Sequence, residues 1–170
     1  TSVAYKMAME NQHTPTALIL SRQDIKDLPS PEGTPRAVAA LGAERGGYTV
    51  VAPAGTPDVV LVANGSEVSL LCEVAVMLEA DGIRAAVVSM PSVGLFNDQP
   101  EDYRLSVLPA GVPQFGLSAG LPESLRMIAG FNGTVHGLER FGASAPYKVL
   151  DEKFGFTPQA VYTKVKSTLA

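Results

Sequence analysis

Two short apolar runs joined by one helical segment constrain the fold of this chain more than any other feature. Val59–Ala63 and Ala85–Met90 are continuous apolar runs, which are typical of strands covered on both faces of a sheet. Between them, apolar residues such as Val68 and Leu71 recur at helical spacing, and Gly82 suits the left-handed end of that helix. The pattern predicts two parallel strands joined by a right-handed helical crossover.

Strands and helices alternate along the rest of the chain. Further helices are predicted at Val3–Asn11, Pro100–Leu108, Leu121–Ala129, Pro146–Lys153 (with Ser144 as its cap) and after Thr157-Pro158. Further strands are predicted at Thr16–Ser21, Tyr48–Ala52, Gln114–Ala119 and Thr134–Leu138. From Tyr48 onward, the five strands predict an α/β fold, a three-layer α/β/α sandwich with a five-stranded, mostly parallel mixed sheet. A proline-rich turn predicts that Tyr48–Ala52 is an edge strand antiparallel to Val59–Ala63.

The amino-terminal part differs in composition from the rest of the chain. Residues 24–45 are rich in Pro, Gly and charge, which predicts a linker with at most a short helical piece at Arg36–Leu41. Residues 1–23 supply one helix and one short buried strand, too little to cover their own apolar faces. We therefore expect residues 1–23 to belong to another domain's sheet or to dock on a partner chain, with the main domain at residues 46–170. The start at Thr1, inside a helical pattern, suggests a cut within a larger protein.

Charge and cysteine content exclude several classes of function. The net charge of −4, without any Lys/Arg run, argues against a nucleic-acid partner. No apolar run approaches the roughly 20 residues that a membrane span needs, so no membrane partner is expected. The single cysteine, Cys72, fits a cytoplasmic protein, and its position on the apolar helix face favours a place in the core.

The chain contains few residues in chemically suggestive patterns. It has no dinucleotide-binding fingerprint, no phosphate loop, no nucleophile elbow and no cluster with metal-ligand spacing. His136 stands alone in a strand, which favours a hydrogen-bonded structural role. The carboxylates of Asp98, Glu101 and Asp102 surround a helix start, where they suit the helix dipole better than paired acid catalysis. We therefore predict neither a catalytic residue nor a metal ligand within the chain.

Gly65 and Ser66, at the tip between the first apolar run and the helix, form a candidate anion site. Backbone N–H groups at a helix start after a parallel strand attract anions. Glu67 brings a negative charge to the same place, so the simpler interpretation is that Ser66 caps the helix.

Arg22 is a second candidate, because it follows the predicted strand Thr16–Ser21 at its carboxyl end. Open α/β sheets bind ligands at that edge, and a guanidinium suits a phosphate in two-point contact. From the residues alone, a surface salt bridge is the favoured alternative.

Several ordered motifs resemble transketolase, and together they cover nearly the whole chain. They are Pro15–Gln23 (PTALILSRQ), Gly65–Val68 (GSEV), Val87–Ser92 (VVSMPS), Tyr103–Pro109 (YRLSVLP), Arg140–Pro146 (RFGASAP) and Lys153–Thr157 (KFGFT). The chain is thus similar to the C-terminal domain of that family, preceded by the tail of its pyrimidine-binding domain.

The resemblance implies a transferase that moves a two-carbon ketol unit between sugar phosphates in the pentose phosphate pathway. It implies thiamine diphosphate and a divalent metal, Mg²⁺ or Ca²⁺, bound at a homodimer interface by segments outside these 170 residues. The position of Arg22 matches a family residue that holds the substrate phosphate. These residues alone are expected to be inactive, with a structural role that supports the dimer.

Two other functions remain open at this point. One is an anion- or nucleotide-binding regulatory module at Ser66. The other is part of a related thiamine-dependent enzyme such as dihydroxyacetone synthase.

Overall fold

A computed structural model describes residues 1–31 and 33–169 and shows an α/β fold around one five-stranded sheet. The strands are β1 (Tyr48–Val51), β2 (Val59–Ala63), β3 (Ala85–Ser89), β4 (Gln114–Leu117) and β5 (Thr134–His136). The helices are α1 (Ser2–Glu10), α2 (Arg36–Ala39), α3 (Glu67–Ala80), α4 (Val93–Asn97), α5 (Glu101–Val107), α6 (Glu123–Ala129), α7 (Tyr147–Phe154) and α8 (Pro158–Leu169), and a 3-10 helix (Ala40–Arg45) continues α2.

The sheet order is β1-β3-β2-β4-β5, and every pair is parallel except β1 with β3. The predicted β2–α3–β3 unit is confirmed, with Val59 opposite Ala85 and Ala63 opposite Ser89. Gly82 follows the helix with φ at 77°, as predicted. The mixed, mostly parallel sheet with helices on both faces confirms the predicted fold class.

Alternate residues of β2 enter two separate cores. Val59, Leu61 and Ala63 pack with α3 and α8 on one face of the sheet, and Val60 and Val62 pack with α4, α5 and α6 on the other. All five side chains are at most 1% exposed. This double coverage explains why β2 is apolar at every position.

The predicted pairing of the first edge strand is wrong in one respect. β1 is an antiparallel edge strand, but its partner is β3, with Tyr48 opposite Ser89, rather than β2. Both edges of β2 are already occupied by parallel pairing with β3 and β4, so β1 pairs with the outer edge of β3 instead.

The predicted strand Thr16–Ser21 is also absent, since the structure shows no regular element there and Ile19 is 96% exposed. A strand needs a neighbour for its N–H and C=O groups, and no described strand pairs with this segment. The linker prediction also understated helix content, because the helical piece extends from Arg36 to Arg45. α1 contacts it through an ion pair of 2.8 Å from Lys6 Nζ to Glu44 Oε1.

Candidate functional site

The crevice at the carboxyl edge of the sheet, between β2 and β4, is where this fold would place a ligand. After β2 the chain crosses to β3 through α3 on one face, and after β4 it crosses to β5 through α6 on the opposite face. The loops that come after the two strands therefore diverge, which opens a crevice at their carboxyl ends. The loop after β2 contains Gly65 and Ser66.

Ser66 does not cap α3 through its side chain, which corrects the prediction. Its Oγ donates to Oε1 of Glu67 at 2.7 Å, so the hydroxyl is engaged by the neighbouring carboxylate instead of a helix N–H. Ser66 already has right-handed helical backbone angles, unlike the extended backbone of a typical cap. Its carbonyl oxygen accepts a bond of 2.9 Å from the Ser69 hydroxyl.

Glu67 places its carboxyl group between the ends of β2 and β4, where it is bonded to the N–H of Ala119. Burial raises the pKa of Glu67, and the hydroxyl of Ser66 and the backbone N–H of Ala119 oppose that rise. The Asp151 carboxylate on α7 raises the same pKa further. A second anion here would meet two acidic side chains, so the anion site at Gly65 and Ser66 stays a prediction that the local charge opposes.

His136 connects the end of β5 to α7. Its Nε2 lies 3.0 Å from the carbonyl oxygen of Phe154. Because a carbonyl oxygen can only accept, Nε2 carries a proton and donates it in this hydrogen bond. Its ring lies 4.9 Å from the ring of Phe156, centre to centre, and burial lowers its pKa. The hydrogen bond and the tilted ring contact agree with the structural role predicted for His136.

The acidic residues at the start of α5 interact with their own helix. Asp102 Oδ1 accepts a bond of 2.8 Å from the N–H of Tyr103, and both Glu101 and Asp102 lie in the first turn of the helix. Glu101 and Asp102 suit the helix dipole, as predicted, whereas Asp98 lies at the C-terminal end of α4, so the prediction is wrong for that residue.

At other helix ends, some of the predicted capping and terminating residues are confirmed and others are not. Thr157 accepts a bond of 3.3 Å from the N–H of Ala160, and Gly155 ends α7 with φ at 76°, both as predicted. The proposed cap Ser144 is wrong, because α7 begins at Tyr147 directly after Pro146. α4 was not predicted, although Ser92 caps it by accepting from the N–H of Leu95 at 3.4 Å.

Arg22 lies in the irregular segment between α1 and α2, exposed to solvent. It takes part in none of the six ion pairs found among the described residues, so the salt-bridge alternative gains no support from them. Likewise, no hydrogen bond in the described part of the chain links Arg22 to Gly65 or Ser66. The described contacts therefore do not bring the predicted phosphate ligand Arg22 together with the predicted anion site at Gly65 and Ser66.

The described residues supply no metal site and no membrane span. Across residues 1–31 and 33–169, no three or more His, Cys, Asp or Glu side chains are arranged to hold a metal ion. In the same residues, no helix has the length and apolar character needed to cross a bilayer. Cys72 is partly buried against the core, and its burial raises the thiol pKa to about 11.

Comparison with known proteins gives a consistent result. A family model described as the transketolase-like TK C-terminal domain matches residues 46–157. Transketolase 1 of Escherichia coli (strain K12) is 42% identical over 169 residues, which cover 99% of this chain and 25% of that protein. The chain thus spans about a quarter of the length of the curated relatives that it matches.

Solved structures agree in fold over almost the full chain. The transketolase from Leishmania mexicana matches with a TM-score of 0.85 at 37% identity. The match covers 99% of this chain and 23% of the Leishmania chain. A transketolase complex with sedoheptulose-7-phosphate from Pichia stipitis has a TM-score of 0.82 at 38% identity, with the same coverage of both chains.

Proposed function

This chain belongs to the transketolase family, and from that premise we propose that it works as the C-terminal domain of a transferase that moves a two-carbon ketol unit between sugar phosphates. The observation that carries the proposal is the 42% identity to a transketolase across 99% of this chain. An alignment at this identity that covers almost the whole chain is what a shared domain role requires.

We propose that the reaction uses thiamine diphosphate and a divalent metal, and that both are bound by residues other than those described here. The described side chains do not fit the metal, since no suitable group of three ligands exists among them. The cofactor would supply the carbanion that accepts and releases the ketol unit. Residues of this chain contribute to the geometry around the cofactor.

Arg22 is the residue we assign to substrate, as a ligand of the sugar phosphate. Its exposure and its freedom from the ion pairs of the described residues support the assignment, because a phosphate ligand must be accessible. A guanidinium can hold a phosphate through two parallel hydrogen bonds. A family relative is described in complex with a sugar phosphate, sedoheptulose-7-phosphate.

The sheet domain is assigned a structural role that supports a homodimer in the cytoplasm. In this proposal residues 1–23 belong to the pyrimidine-binding domain, residues 24–45 form the linker and residues 46–170 form the C-terminal domain. The exposed apolar side chains Ile19 and Leu20, at 96% and 54%, support docking of residues 1–23 against further protein.

A chimera tests the proposal. The matching quarter of the E. coli transketolase is replaced by this chain and supplied with thiamine diphosphate, Mg²⁺, a ketose phosphate and an aldose phosphate. We expect ketol transfer by the chimera and none by the isolated 170-residue chain. A folded chimera without transfer would contradict the domain role, and turnover by the isolated chain would contradict its assignment as a non-catalytic domain.

The role of Arg22 is tested in the same chimera. Arg22→Gln removes a charged contact to phosphate, so KM for the sugar phosphate should rise roughly 10- to 100-fold with a smaller change in kcat. Arg126→Gln, which removes an exposed arginine on α6, is the matched control and should leave both constants unchanged. An unchanged KM in the Arg22 variant would remove the phosphate assignment and leave the domain role intact.

A further inference from the structure

One side of α3 is bordered by a short irregular segment, residues 26–29, which we call the strap. The strap and α3 enclose a groove of about 240 Å³, and Cys72 on α3 forms part of its wall. Residues 26–29 lie within the predicted linker, and the proposed function gives them no task besides connection. The strap therefore borders the single thiol of the chain.

One ion pair and one apolar side chain fasten the strap to the sheet domain. Lys26 Nζ lies 2.6 Å from Oε1 of Glu73 on α3, but the two side chains are 78% and 44% exposed. Leu28 packs against the core that contains α3, and it is only partly buried. Because exposed ion pairs contribute little, the side chain of Leu28 supplies most of the attachment.

The backbone of the strap adds no further attachment within the described ranges. No helix or strand includes residues 26–29, and no backbone–backbone hydrogen bond found there involves them. The groove beneath the strap shows loose packing, since closely packed interfaces leave few voids larger than a water molecule. A segment with few buried apolar contacts and no backbone hydrogen bonds opens at a much lower cost than a core element.

The helix beneath the strap is firmly anchored by comparison. Val68, Leu71 and Leu78 of α3 are at most 1% exposed, and they pack in the core with β2 and α8. The strap can therefore leave while α3 stays in place. Cys72 is partly buried beside this core, and burial raises the pKa of its thiol to about 11, which keeps it in the less reactive protonated form.

We propose that the strap opens locally from α3, without unfolding of the sheet domain, and that this opening controls the access of reagents to the Cys72 thiol. In the closed form, Leu28 and the ion pair between Lys26 and Glu73 hold residues 26–29 beside the groove. In the open form, the groove is exposed to solvent and the thiol reacts.

Labelling of the unmodified chain with N-ethylmaleimide measures the opening, because Cys72 is its only cysteine. The folded chain should react at least roughly 10-fold more slowly than the urea-unfolded chain. Below the unfolding transition, the logarithm of the labelling rate should rise with urea at less than about half the slope of global unfolding, because local opening exposes little surface. Labelling as fast as in the unfolded chain, or with the full slope of global unfolding, would overturn the proposal.

Two variants test the attachment of the strap. Leu28→Ala should accelerate labelling of the folded chain roughly 10-fold, and Lys26→Gln roughly 2- to 5-fold. Ile19→Ala, which truncates a side chain that is 96% exposed, and Lys6→Gln, which breaks the pair with Glu44, are the matched controls and should leave the rate unchanged. Circular dichroism checks that each variant is folded.

An unchanged labelling rate in folded Leu28→Ala protein would overturn the proposal. If that variant does not fold, the urea slope of the unmodified chain still decides between local opening and global unfolding.

Discussion

Val59–Ala63 and Thr16–Ser21 are similar apolar runs, but the first forms a buried strand and the second forms no regular element. Every side chain of the first is at most 1% exposed, whereas Ile19 and Leu20 in the second are exposed at 96% and 54%. The first run has a strand on each side and helices on both faces, and the second has no described neighbour. The difference teaches that an apolar run becomes a strand only where the chain also provides its partners.

The largest expected effect tests this contrast with matched truncations. Leu61→Ala leaves a cavity in a closed core and should lower the free energy of unfolding by about 2 to 5 kcal/mol. Ile19→Ala removes an exposed side chain and should change it by less than about 0.5 kcal/mol. Urea unfolding of the 170-residue chain measures both values. Similar losses in the two variants would show that Thr16–Ser21 is packed against the domain.

Gly46, between the 3-10 helix and β1, should give the next largest effect. Its φ is 82°, and a Cβ there would lie 2.3 Å from the N of Phe96 and 2.4 Å from the O of Ser92. Gly46→Ala should therefore cost about 2 to 4 kcal/mol, from left-handed strain plus backbone overlap.

Gly33, in the irregular segment before α2, is the matched control. Its φ is 72°, but a Cβ there would meet nothing within 4 Å, so Gly33→Ala should cost only about 1 kcal/mol. Both values come from urea unfolding. Equal costs would indicate that the backbone at Gly46 is as loosely packed as the backbone at Gly33.

Two carboxyl groups of the sheet domain should give smaller, opposite pH effects. Asp58 accepts bonds of 2.7 and 3.1 Å from the Arg84 guanidinium, which lowers its pKa from 3.8 to about 2. A lowered folded-state pKa contributes stability above pH 3.8 that is lost as the pH falls toward 2. Burial raises the pKa of Glu67 above 4.5, so its contribution is most favourable below that pH and declines as the pH rises through the folded value.

Urea midpoints measured between about pH 2 and about pH 8 separate the two groups. Asp58→Asn should reduce the loss of stability on the acid side, and Glu67→Gln should reduce the decline on the neutral side. Asp24→Asn, in the exposed irregular segment before α2, is the control for the removal of one carboxylate charge. A Glu67→Gln curve that matches the unmodified chain would show that this carboxyl is solvated in the crevice.

Periodicity and turn residues were sufficient to predict local structure where each residue's partner lies nearby. Gly82, Gly155 and Thr157 end or begin helices as predicted, because backbone angles and capping bonds are local properties. Ser66 shows the limit of such local rules, since its hydroxyl binds the adjacent Glu67 carboxylate in place of the helix N–H groups.

Strand pairing and contacts between segments depended on distant residues and could not be predicted. β1 could not pair with β2, because both edges of β2 are taken by β3 and β4, and no local signal selects β3 in its place. Lys26 and Glu73 meet only because the irregular segment before α2 passes beside α3, and neither residue type signals that meeting in the sequence. The candidate substrate residue Arg22 was assigned by family resemblance, because the groups that would complete its site do not lie among the described contacts.

The smallest expected effect concerns the ion pair between α1 and the 3-10 helix. Lys6 Nζ lies 2.8 Å from Glu44 Oε1 and 3.9 Å from Glu10 Oε2, and the lysine side chain is 55% exposed. Exposed pairs contribute little and are screened by salt, so Lys6→Gln should leave the urea midpoint unchanged. Hydrogen exchange should nevertheless speed up in α1 alone, because its docking is local. Glu10→Gln, which keeps the shorter contact, should accelerate exchange less. If Lys6→Gln also accelerated exchange in β2, the two regions would unfold as one unit and the contrast between them would fail.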